Sequence, residues 1–92
     1  MSEIDWDQRV RELAEELGRA QAHAIANPST HYRRVDDSEL MEDVVFASRG
    51  LRRQRDREDF DVDALKSAAF AYQFALNASY ERAVLTVPPR RD

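Results

Sequence analysis

The residues of this chain best suited to chemistry are charged and segregated by sign. Between Arg49 and Arg57 five arginines, Arg49, Arg52, Arg53, Arg55 and Arg57, stand against a single acid, and Arg33-Arg34 form a second basic pair beside His31 and Tyr32. Guanidinium forks match phosphate oxygens, so these seven are the candidates for phosphate or partner contacts. Glu12 with Glu15 or Glu16, and Glu39 with Glu42 or Asp43, stand three or four residues apart. That spacing puts carboxylates on one helix face, where they are the oxygen ligands that Mg²⁺ takes. His23 and His31 have no Cys to join them. A zinc site needs four convergent ligands, so the expected roles are a helix-end cation for His23 and a loop hydrogen bond for His31. No serine lies in a Gly-x-Ser-x-Gly turn, and Gly18 and Gly50 are too far apart to form a phosphate loop. No catalytic residue, metal ligand or cofactor is therefore assigned.

The two acidic sets resemble the paired positions with which all-α nucleotide pyrophosphohydrolases hold Mg²⁺. That resemblance implies Mg²⁺-dependent nucleotide hydrolysis. Asp43 falls one position out of the Glu-x-x-Asp register, and only Lys66 and Arg82 are on offer for substrate phosphates in the third helix. It stands as the third reading.

Three helical segments must position these groups. Trp6, Val10, Leu13, Leu17, Ala20 and Ala24 recur every three or four residues and predict an amphipathic helix over 4–26. Ser2 is the expected cap, and Asn27-Pro28 the stop. Asp5, Asp7 and Glu15 each precede an arginine by four residues, the favourable order for a solvated face. In the loop from Asn27 to Val35, Tyr32 is the expected anchor, as Trp6 is on the first helix. Asp36 and Glu39 form a capping box, with Val35 and Leu40 as its hydrophobic staple, so a second helix is expected over 37–56. Beyond it the charge sign flips. Arg52 with Asp56, Arg55 with Asp59 and Arg57 with Asp61 would pair only if the helix continued. The third helix is expected over 62–87, ended by Pro88-Pro89, with 88–92 as a short tail.

On a wheel, Leu65, Ala69, Tyr72, Leu76, Tyr80 and Ala83 mark one stripe of this third helix, and Phe70, Phe74, Ala78 and Leu85 a roughly opposite one. A helix apolar on nearly all sides is normally buried, and its two neighbours in a bundle would cover one side. The second stripe is thus the expected protein interface, in a homodimer or with a partner, unless the first two helices splay apart and cover both. Gly18, in line with Ala14, Ala22 and Ala26, is expected at a close helix crossing of the same assembly.

At 92 residues the chain is long enough for one core only. Hydrophobic residues make up 42%, charged residues 35%, and there are two Gly, three Pro and no Cys, which favours a single all-α domain without disulfides. The net charge of −4 disfavours polyanion binding over the whole surface. The most apolar run, Ala68 to Leu76, is far short of the ~20 residues of a membrane span, and residues 1–5 lack the features of a secretion signal. A cytoplasmic location is expected. These features favour a non-catalytic protein-protein interaction or regulatory module, of the kind an accessory or viral protein uses to dock on a larger machine. Nucleic-acid binding through Arg49 to Arg57 is the second reading.

Overall fold

A computed structural model describes residues 3–86, with side chains through Ala83. Helix α1 spans Trp6–Ala26, α2 spans Asp37–Asp56 and α3 spans Val62–Thr86, and a short 3₁₀ turn, His31–Arg33, lies between α1 and α2. No strand occurs among the described residues. The fold is all-α, as composition and periodicity indicated. The expected last turn at Val87 and the tail 88–92 lie outside the described residues.

Short-range chemistry sets the helix ends. Asp5 accepts a hydrogen bond from the Gln8 amide at 3.0 Å and caps α1, taking the role expected of Ser2, which lies outside the described residues. At the other end both the amide and the side chain of Asn27 donate to the His23 carbonyl, at 2.8 and 3.1 Å. Asp36 caps α2 through the Glu39 amide at 2.8 Å. Asp61 receives the Asp63 amide at 3.0 Å at the start of α3. Helix α2 does not run on into the acidic segment. Arg57 is extended and its guanidinium ties to Asp59 at 2.7 Å and to Gln54 at 2.9 Å, while Arg55 pairs with Asp56 at 2.8 Å. These contacts replace the four-residue pairs that a continuous helix would have made.

Helix α3 is the spine. Both α1 and α2 pack along it, and they scarcely touch each other. Contacts rise together along α1 and α3, from Arg9 beside Phe60, through Leu17 with Gln73, to Ala24 with Asn77, so these two helices run parallel. Helix α2 runs antiparallel to α3, with Asp37 at Arg82 and Leu51 beside Leu65 and Ala69. The core gathers where all three helices meet, around Ala20, Leu51, Leu65 and Ala69, with Leu13, Leu17, Phe60 and Tyr72 packed against it. The two flanking helices splay, and each takes a side of α3. Phe70 and Phe74 are half-buried, with the His23 ring edge-on to both at 5.2 and 5.6 Å. Part of the second stripe is therefore covered from within the chain.

The inward line of α1 differs from the purely apolar one. Arg9 (6% exposed) and Glu16 (3%) are buried with Ala20 and Ala24, whereas Trp6 stays 48% exposed and Val10 is also exposed. The reason lies in Arg9. Its guanidinium rests 5.2 Å from the Trp6 ring and 4.8 Å from that of Phe60, and donates to the Arg55 carbonyl at 2.8 Å. Two aromatic faces and a carbonyl replace the water that the cation gives up. Trp6 is thus a platform for a cation instead of a core anchor, and Arg9 faces inward instead of toward Asp5. Around Gly18 a Cβ would meet nothing within 4 Å, so none of the described residues makes the close crossing expected there.

Leu65 is fully buried, so Leu65→Ala is expected to cost about 2–5 kcal/mol, read as a lower midpoint in denaturant titration. Gly18→Ala meets open space inside a helix and is expected to raise stability by up to ~1 kcal/mol, and a thermal melt checks the sign.

Candidate functional site

The polar groups separate into those that hold the fold and those that face outward. Arg82, one of the two residues that α3 offered for substrate phosphates, is a strut. It donates to the carbonyls of Tyr32 and, at 2.6 Å, Val35, and pairs with Asp37 at 2.9 Å, which fastens the α1–α2 loop and the start of α2 to α3. Tyr32 is half-buried over the same region, and burial together with the Asp43 carboxylate pushes its phenol above the usual value. Sequence reasoning missed this strut. The four-residue register that could have located it applies only within one helix, whereas Arg82 and its partners lie 45 or more residues apart.

Gln73 and Asn77 of α3 point at α1. Their side-chain amides donate to the Leu17 and Ala24 carbonyls, each at 3.4 Å. Glu16 pairs with Arg19 through Oε1, while its buried Oε2 has no hydrogen-bond partner among the described residues. Arg19 also reaches Glu15 at 3.5 Å. The two acidic sets do not converge. Glu12, Glu15 and Glu16 belong to α1 and Glu39, Glu42 and Asp43 to α2, two helices that scarcely meet, and no three His, Asp or Glu among the described residues gather where one ion could sit. The paired carboxylates that Mg²⁺-dependent hydrolysis requires are not assembled. His23 serves as an aromatic edge against Phe70 and Phe74, and His31 stacks edge-on to Tyr32 at 5.0 Å.

The seven candidate arginines fall into three groups. Arg55 and Arg57 are engaged by Asp56 and Asp59, whose carboxyls are held below the usual range by hydrogen bonds from those guanidiniums. Arg33 and Arg34 are exposed in the 3₁₀ turn and just after it. Arg49, Arg52 and Arg53 are exposed on the outer side of α2. Next to them, on the sides of α2 turned away from the core-facing Leu40 and Leu51, three large apolar side chains are also exposed. Met41, Val45 and Phe46 are exposed and line a shallow surface recess with Ser38, Glu42 and Arg49. Phe46, at 69%, is the most exposed large apolar residue described.

Of the interface residues expected on α3, Phe70, Phe74 and Ala78 are half-buried, and the side chain of Leu85 lies outside the described residues. No described helix is long and apolar enough to cross a membrane.

The ion pairs at the α2–α3 corner set a pH dependence. Asp56 and Asp59 have depressed folded-state pKa values, so their contribution is present above the ordinary carboxylate range and is lost as pH falls through the lower folded values. Backbone amide NMR is expected to show residues 56–61 loosening below about pH 4, ahead of the core. The chain matches no protein-family model, no curated protein and no solved structure.

Proposed function

We propose that the protein is a non-catalytic protein-protein interaction or regulatory module. One observation carries this reading: Met41, Val45 and Phe46 stand together on an outward face of α2 that no other element among the described residues covers. Exposed apolar clusters rimmed by charge mark interaction surfaces, because leaving them in water forgoes about 25 cal/mol per Å² of apolar area. The separation of the two acidic sets also supports a binding role over Mg²⁺-dependent hydrolysis. Nucleic-acid binding through the arginine segment stands second, since Arg55 and Arg57 are already engaged by acids. The Phe70 and Phe74 stripe is a weaker docking surface than the sequence implied, because His23 lies against both rings.

The test is affinity capture with the tagged chain, in parallel with a Phe46→Glu variant, from native host lysate to which a second, differently tagged copy has been added. A stoichiometric protein, either the second copy or another chain, is expected to survive nuclease treatment and to be lost with Phe46→Glu. Capture that vanishes with nuclease would replace this reading with the nucleic-acid one. Recovery of the bait alone would refute it.

A further inference from the structure

The charges of α1 and α2 follow opposite plans. On α1 an acid precedes a base by four residues, as Glu15 does Arg19, so the helix neutralises itself. On α2 the signs are segregated. Behind the capping residue Asp36, the acids Asp37, Glu39, Glu42 and Asp43 fill the first half without a base, and Arg49, Arg52, Arg53 and Arg55 dominate the second, with Asp56 the lone acid and Arg57 just beyond the helix. The helix dipole favours acids in the first turn and bases in the last, which covers Asp37, Glu39, Arg53 and Arg55. That effect fades within a turn, and Glu42 and Arg49 lie deeper. Like charges three or four apart, as in Glu39 with Glu42 or Arg49 with Arg52, oppose an isolated helix. Glu42 and Arg49 have no ion-pair partner among the described residues.

These features share one face. On a wheel of 100° per residue, Ser38, Glu42, Val45, Arg49 and Arg52 fall within an arc of about 80°, flanked by Met41 on one side and Phe46 on the other. Along the axis the pattern is symmetric about the midpoint between Val45 and Phe46. Glu42 and Arg49 stand about 5 Å to either side of it, with Glu39 and Arg52 farther out at equal distances. A surface that is acidic on one side of an apolar centre and basic on the other complements its own copy turned by a half rotation.

We propose that the outer face of α2 is a two-fold interface for a second copy of this chain, with the two α2 helices antiparallel. This rests on the interaction-module reading and names the partner. Val45 and Phe46 of one copy meet their equivalents at the axis, and the acidic half of each helix lies along the basic half of the other, with Glu42 facing the second copy's arginine at position 49. A nucleic acid would match the arginines but would be repelled by the acids beside them, so it is the weaker occupant.

Sedimentation velocity over a concentration series, with circular dichroism to confirm folding, tests the assignment. The wild-type chain is expected to dimerise reversibly, and more weakly as salt screens the charged rim. Phe46→Glu, Glu42→Arg and Arg49→Glu are each expected to raise the dissociation constant about tenfold or more. The double variant Glu42→Arg with Arg49→Glu restores complementarity between copies and is expected to recover the dimer. A dimer indifferent to Phe46→Glu forms elsewhere, and a double variant that stays monomeric refutes the antiparallel pairing. A wild-type monomer that still captures another protein through Phe46 overturns the second-copy assignment while leaving the module reading intact. A monomer that captures nothing overturns both.

Discussion

Helix α3 is apolar on nearly every side, and it is stable only where other surfaces take it out of water. With two neighbours available, each must serve a different side, so α1 and α2 are drawn apart and have little surface left for each other. The rest of the architecture follows from that division. The core is small and lies where the three helices meet, with Ala20 from α1, Leu51 from α2 and Leu65 and Ala69 from α3. Small alanines at that junction let the backbones approach, and Leu65 fills the remaining space.

Outside that core, α1 and α2 are tied by a buried cation. Arg9 joins the first turns of α1, the last turn of α2 and the segment leading into α3 through two rings and one carbonyl. At the far end of the molecule Arg82 does the equivalent work for the loop and the start of α2. The two arginines bracket the splayed pair, so helices that share little apolar area are still held in a defined relation.

Much of the fold was legible in the sequence because its signals are local. Asp36 with Glu39, Asn27 before Pro28 and the three-and-four spacing of apolar residues each act within a few positions, and the helix bounds fell close to where those residues put them. Properties that depend on the approach of distant segments were not legible. Hydrophobic ranking cannot turn Arg9 inward and Trp6 outward, since Phe60 and the Arg55 carbonyl are supplied by other elements. Nor can a wheel tell whether Phe70 and Phe74 await a partner or are met by His23, because that depends on the splay of the helices. The candidate surface was legible in part: the arginines of α2 were evident, but the apolar cluster beside them emerged only once the core-facing side of the helix was known.

Most of the long-range polar contacts among the described residues share a further property. Arg9, Gln73, Asn77 and Arg82 all donate to main-chain carbonyls, those of Arg55, Leu17, Ala24, Tyr32 and Val35. A carbonyl has two lone pairs, so it can serve its own helix and accept a second donor. It is also present whatever side chain the residue carries. Genetic drift can therefore rewrite these acceptor positions without deleting a partner, and of the long-range polar contacts described above only the Arg82–Asp37 ion pair is a matched pair whose two side chains would have to change together.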